Sequence, residues 1–279
     1  MPIIESIQVA SVAVPLDKVT SFSTRTVSER HYCLVKVRDK DGNQGIGFCY
    51  VGSAGGDIAK IAVEQLLAPK LIGQNSHRSE GLWMDMYNES ILQGRTGAVM
   101  RGISILDTAL WDLNARSVGL PLHQYLGSVV DDRVPAYASG GYYLDGKTPA
   151  KLGKEMESYV KQGFKAVKMK VGRLSPVEEE ARVRAARKAI GEDILLTLDA
   201  NNAWRDLPTA LEYVRRFEAY KPYWIEEPFS PDAIDLHAAL ARQTTINVAT
   251  GEMEAGRWRF RELIDVGGAA ILQSDAAVC

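Results

Sequence analysis

Ala166-Val167-Lys168-Met169-Lys170 is the first of five short apolar runs whose reading decides the fold, because each ends in a charged side chain. The others are Leu195-Leu196-Thr197-Leu198-Asp199, Trp224-Ile225-Glu226, Asn247-Val248-Ala249-Thr250-Gly251-Glu252 and Ala270-Ile271-Leu272-Gln273-Ser274-Asp275. Amphipathic segments of helical length lie between them, near 176–190, 207–219, 231–243 and 256–265, so the pattern reads strand, helix, strand, helix. In a parallel α/β barrel the C-terminal ends of the strands are where active sites are built. Chance surface charge explains one or two such ends. It is a poor account of Lys, Asp, Glu, Glu and Asp at five in succession.

The acids recur at intervals of 27 (199 to 226), 26 (226 to 252) and 23 (252 to 275) residues, each about one strand-helix unit. Asp199, Glu226 and Glu252 are therefore expected to converge. An oxygen-only set with no His or Cys beside it suits a hard cation, Mg²⁺ before Zn²⁺. Lys168 and Lys170, two apart on a strand, share a face about 6.6 Å apart along the chain. Nearby cations disfavour a further positive charge, which would make Lys170 a usable general base. Such a set suits removal of a proton α to a carboxylate: a second negative charge grows on an already ionised group, and cations placed there stabilise it.

Lys168-Met169-Lys170, Leu198-Asp199-Ala200-Asn201, Ile225-Glu226-Glu227-Pro228, Gly251-Glu252 and Ser274-Asp275 together resemble the enolase superfamily, specifically its mandelate racemase subgroup. Asp107-Thr108-Ala109-Leu110-Trp111-Asp112 and Gly119-Leu120-Pro121-Leu122 extend the resemblance to the N-terminal half. It implies an enediolate intermediate, Lys170 as the base, Lys168 on the substrate carboxylate, and Mg²⁺ held by Asp199, Glu226 and Glu252. Asp275 would be the carboxylate of a His-Asp dyad. Asn201, Glu227, Arg25 and Tyr137 are expected as substrate or supporting contacts. Of the four histidines, His31 and His77 fall in the N-terminal unit, His123 after its last helix and His237 inside a helix, so none stands at a barrel strand end.

The N-terminal half reads differently. Strands are expected at 3–14, 31–38 and 45–51, the last two joined by the turn signal Asp39-Lys40-Asp41-Gly42-Asn43. Helices are expected near 57–69, 78–92 and 99–118. Ile103, Leu106, Leu110 and Leu113 mark one face of the third, and Gly119 and Pro121 stop it. A sheet followed by helices, then strand-helix alternation from Val134 with its first helix near 148–162, sets a boundary near Gly127–Arg133. The expected organisation is an α+β capping domain, 1–127, followed by a modified TIM-type (β/α) barrel over 128–279 supplying its first six strands. By resemblance, segments near 16–30 and 50–56 cover the barrel mouth. The first is polar, with Ser21, Ser23, Thr24, Arg25 and Thr26, and suits a hydroxylated acid. Gly52-Ser53-Ala54-Gly55-Gly56 lacks the Gly-Lys-Ser/Thr of a phosphate cradle and reads as a mobile loop.

From 134 onward there are 146 residues, against ~250 for a typical eightfold barrel. The incomplete barrel is expected to be a fragment of a longer product, and the 279 residues alone are not expected to turn over substrate. Composition agrees with a small-molecule enzyme: 46% apolar, 24% charged and a net charge of −2, without the basic excess of a nucleic-acid binder. Cys33, Cys49 and Cys279 suggest neither a disulfide framework nor a metal site, which fits a cytoplasmic setting. No run approaches the ~18 apolar residues of a membrane span. The partners expected are a small carboxylate substrate and further copies of the chain. The reaction expected is dehydration of a sugar acid, with racemisation or epimerisation of a 2-hydroxy acid as the alternative. A Schiff-base aldolase using Lys170 would leave three converging carboxylates unexplained, and an inactive truncated barrel is the remaining reading.

Overall fold

The computed structural model describes residues 2–128 and 133–278. Strands β1 (Ile4–Ser21), β2 (Thr26–Asp39) and β3 (Gln44–Tyr50) form an antiparallel sheet in that order. Its tight turn is closed by Asp39, whose carboxylate accepts the backbone and side-chain N–H groups of Asn43, both at 2.8 Å. Alternation then sorts the faces: Cys33, Val35, Val37 and Cys49 are buried, whereas Leu34, Ile46 and Phe48 are exposed.

Helices α1 (Gly56–Ala62), α2 (Ala68–Leu71), α3 (Ser79–Ser90), α4 (Gly97–Ser117) and α5 (Leu122–Tyr125) follow. The expected stripe Ile103, Leu106, Leu110 and Leu113 is wholly buried. Helix α4 reaches the sheet closely because β3 carries Gly45 and Gly47; a Cβ on Gly47 would lie 2.1 Å from the carbonyl oxygen of Ile105. The helix expected at 57–69 is split by a π turn over Val63–Leu67 before α2, whose first turn holds Pro69.

The second sheet is parallel and runs in sequence order through β4 (Ala138–Gly140), β5 (Ala166–Lys170), β6 (Leu195–Asp199), β7 (Trp224–Glu226), β8 (Asn247–Thr250) and β9 (Ile271–Leu272). Helices α6 (Pro149–Lys161), α7 (Pro176–Ile190), α8 (Leu207–Phe217), α9 (Ile234–Ala241) and α10 (Arg257–Asp265) connect them. This is the expected capping sheet followed by six barrel strands. The boundary expected at Gly127–Arg133 includes residues 129–132, which lie outside those described.

Strand alternation explains why polar groups sit inside. Val167, Met169, Leu196, Leu198 and Ile225 point to the helices and are fully buried in one core with Val183, Val214 and Phe217. Burial of such side chains contributes about 1.5–3 kcal/mol each. Their neighbours face the other way in register. Lys170 is level with Asp199 and Asp199 with Glu226, while one layer below Lys168 is level with Thr197 and Thr197 with Trp224.

Three expectations change in extent. The first barrel strand is confined to Ala138–Gly140 rather than 134–139; Pro135 lacks the N–H a ladder needs, and pairing to Val167–Met169 begins at Ala138. The last strand is two residues long, paired to Ala249 and Thr250. The 16–30 segment is not a separate loop. It forms the far end of a long β1–β2 hairpin, with an irregularity between Pro15 and Thr20, where Thr20 pairs with Val27 and Ser21 with Thr26.

Candidate active site

The hairpin turn, Phe22–Arg25, lies on the barrel mouth. The backbone N–H of Phe22 donates to Arg25 O at 3.0 Å, and Tyr143 N donates to Ser21 O at 2.9 Å. The Ser23 hydroxyl donates to Ala200 O, and Thr24 Oγ1 donates to Asn201 O at 3.2 Å, fastening the cap to the end of β6. Between hairpin and barrel is a cavity of about 360 Å³. Phe22, Arg25, Arg30, Tyr32 and Tyr50 line the cap wall, and Tyr142, Lys170, Asn201, Asn202 and Glu252 the barrel wall. Tyr50 is the contribution of the 50–56 segment among the described lining residues.

Both lysines are nearly buried and bonded to acids of the neighbouring strands. Lys170 Nζ lies 2.6 Å from Asp199 Oδ2, and Lys168 Nζ lies 2.7 Å from Glu226 Oε1 and 3.3 Å from Asp199 Oδ2. Desolvating such charges costs several kcal/mol unless their hydrogen bonds are made. Here they are. Asp199 Oδ1 accepts Asn201 N at 2.9 Å, and Glu226 Oε2 accepts Trp224 Nε1 at 3.1 Å and Gln273 Nε2 at 3.0 Å. Aromatic rings complete the enclosure: Tyr137 lies 5.5 Å from Lys168 Nζ, and Tyr142 and Phe22 lie 5.5 and 5.8 Å from Lys170 Nζ.

Charge crowding sets the ionisation of the acids. Burial would raise Asp199, but Lys170 and Lys168 outweigh it and hold the carboxyl below its ordinary range. Burial and the charge of Asp199 raise Glu226, against the opposing pull of Lys168. Burial together with Glu226 and Asp199 raises Glu252. Burial, Glu252, Asp199 and Glu226 push Glu227 up to about 8. For Lys168, burial works downward, and Asp199 and Glu226 more than reverse it.

Backbone strain concentrates at the same place. Four non-glycine residues among those described have positive φ, and three of them, Asn201 (46°), Asn202 (61°) and Glu227 (43°), stand at the ends of β6 and β7. The strained pair is stitched together by Asn202 N donating to Glu227 O at 2.7 Å. Glu227 is 1% exposed, and neither carboxylate oxygen has a hydrogen-bond partner among the described residues.

The structure therefore brings together Lys168, Lys170, Asp199 and Glu226, with Glu252, Asn201 and Arg25 on the cavity wall and Tyr137 beside Lys168. Asp275 is exposed and outside the cavity lining, and its Oδ1 accepts Ala277 N at 2.8 Å. Among the described residues no three acid, His or Cys side chains stand close enough to hold a metal ion. Asp199 and Glu226 are instead turned onto the lysines. The donor chemistry nevertheless fits a hard divalent cation: Asp199, Glu226 and Glu252 offer oxygen alone, and the repulsion that raises Glu226 and Glu252 is what a bound cation relieves.

Sequence reasoning passed over Tyr32, Tyr142, Asn202 and Gln273, and took in Phe22, Arg30 and Tyr50 only as members of the 16–30 and 50–56 segments. Gln273 lay in a quoted strand run, one position beyond the paired part of β9, and its polar side chain in an apolar run was the available signal. The cap residues depend on where the hairpin lands, which no local pattern encodes.

A capped parallel (β/α) barrel whose strand ends carry a lysine pair opposite carboxylates defines a protein of the enolase superfamily. Comparison with known proteins gives the family. The profile of the mandelate racemase/muconate lactonizing enzyme N-terminal domain matches residues 4–127, and that of the enolase C-terminal domain-like family matches residues 151–279. The chain belongs to the mandelate racemase/muconate lactonizing enzyme family. It is 37% identical over 219 residues to arabinonate dehydratase of Saccharolobus solfataricus, covering 78% of this chain and 58% of that one. Against L-talarate/galactarate dehydratase of Salmonella typhimurium it is 32% identical over 262 residues, covering 93% and 64%. The chain thus spans less than two thirds of the length of both enzymes. A racemase from Streptomyces coelicolor A3(2), solved with bound magnesium, superimposes with a TM-score of 0.93 at 29% identity, over 99% of this chain and 76% of that one. No helix among the described residues is long and apolar enough to cross a membrane.

Proposed function

We propose that this protein is a Mg²⁺-dependent dehydratase of sugar acids, abstracting the proton α to a carboxylate. The observation that carries the reading is the buried lysine pair on β5 in contact with Asp199 and Glu226 on the next two strands. Lys170, on the cavity wall, takes the α-proton in its neutral form. Lys168, one layer deeper, stays charged between two carboxylates and offsets the negative charge that grows on the substrate carboxylate. Phe22, Tyr137 and Tyr142 crowd the two lysine nitrogens and limit the water around them, which strengthens the charge interactions there.

Asp199, Glu226 and Glu252 would hold Mg²⁺, which when bound supplies positive charge beside the substrate carboxylate. The related dehydratases and the magnesium-bound racemase support both the reaction class and the metal. Loss of the α-proton followed by expulsion of the β-hydroxyl as water leaves an enol that tautomerises to a 2-keto-3-deoxy acid. We place the enzyme in the cytoplasm, which the free, buried thiols of Cys33 and Cys49, facing each other across β2 and β3, support.

The test is incubation of the purified full-length protein with a panel of sugar acids, following keto-acid formation. Product should appear with Mg²⁺ and be lost in chelator, and Glu252→Gln should weaken calorimetric Mg²⁺ binding. A panel without product, together with unaltered Mg²⁺ binding in Glu252→Gln, would overturn the proposal.

A further inference from the structure

Resting on the α-proton chemistry proposed above, we infer that the substrate is a sugar diacid whose second carboxylate is bound by Arg30 and Arg25 on the cap wall of the cavity. The charges of the cavity are divided between its walls. Lys170 and Glu252 belong to the barrel side, where one carboxylate of the substrate reacts; Arg25 and Arg30 belong to the cap side, away from that chemistry.

Neither guanidinium is neutralised by a described carboxylate. Among the described residues no carboxylate pairs with Arg25 or Arg30, although such pairs hold Arg38, Arg78, Arg116, Arg182, Arg216 and Arg259. The adjacent acid, Glu29, is committed to His31 at 3.1 Å. Arg30 is half-buried, its guanidinium carbon 6.0 Å from the centre of the Tyr50 ring, and Tyr50 lies 5.8 Å from Tyr32. Arg25 is exposed at the hairpin turn, but that turn is fixed to the barrel through Ser23 and Thr24. An unpaired guanidinium fork on a cavity wall is matched in charge and shape by a carboxylate. A monoacid would leave it facing a hydroxyl. The volume, about 360 Å³, is near the lower end for ligand pockets and suits a chain of a few carbons.

Phosphate shares the anionic chemistry, so the experiment separates the two. Dissociation constants would be measured by calorimetry for hexarates, for the hexonates of the same configuration and for 6-phosphohexonates, with Mg²⁺ and in chelator. The diacid should bind about ten- to a hundredfold more tightly than its matched monoacid, the range for a hydrogen bond to a charged group. Arg30→Gln should remove most of that ratio and Arg25→Gln part of it, in both buffers, with a smaller effect on the monoacid than on the diacid. Arg30→Lys should restore it only in part. Equal binding of mono- and diacids, or a ratio insensitive to both arginine variants, would overturn the inference while leaving the dehydratase reading intact. Preference for the phosphorylated acid over the diacid would also overturn it. If no sugar acid binds and no keto acid forms, the reaction itself is refuted and this inference with it.

Discussion

Replacing Glu227 by Gln should flatten the pH dependence of stability without altering the fold. Burial and the surrounding acids raise this carboxyl from 4.5 to about 8. Across that interval the unfolded chain has already lost the proton and the native protein retains it. The contribution is therefore fully present below pH 4.5 and disappears as the pH rises through about 8. At ~1.4 kcal/mol per pH unit the interval corresponds to ~5 kcal/mol. The group is 1% exposed, so solvent screening removes little of this. An amide in the same place still lacks hydrogen-bond partners, so absolute stability need not improve, and the slope is the diagnostic quantity. Urea unfolding in chelator between about pH 5 and 9 should show the wild type losing several kcal/mol more than Glu227→Gln. Parallel curves for the two proteins would refute the assignment of a buried, protonated acid at this position.

Two other substitutions test how the site is supported. Gly47→Ala would place a Cβ 2.1 Å from Ile105 O and drive β3 from α4, costing ~3 kcal/mol; an unchanged thermal midpoint would contradict that packing. Arg182 donates to Gly141 O at 2.8 Å and Lys170 O at 3.1 Å beside buried Glu179, so Arg182→Ala should cost about 3–5 kcal/mol, measured by chemical denaturation. Arg182→Ala with Glu179→Gln should recover part of the loss, and no recovery would mean that the pair is not the source of the cost.

Much of the barrel was legible because its period is two and its strands are short. Val167, Lys168, Met169 and Lys170 alternate between helix-facing and mouth-facing positions, and Leu198-Asp199 and Ile225-Glu226 repeat the pattern in register. The face of α4 was legible for the equivalent reason at period 3.6. The hairpin tip was not, since Pro15, Asp17 and Lys18 interrupt the alternation and its extension depends on pairing across the turn. Glu227 was visible as a residue but not as a strained and unsatisfied one. Its φ of 43° arises from the loop geometry that also holds Asn202. Arg30 shares a cavity with Lys170 only because the hairpin folds over the barrel, which no local pattern around it encodes.

The central claim is that Lys170 exchanges the proton α to a carboxylate. Its most direct test is ¹H NMR of a bound sugar acid in D₂O with Mg²⁺, comparing the wild type with Lys170→Ala and Lys168→Met. Exchange of the α-hydrogen in the wild type, abolished in Lys170→Ala while calorimetric Mg²⁺ binding persists, is the predicted result. Exchange that survives loss of Lys170 would contradict it.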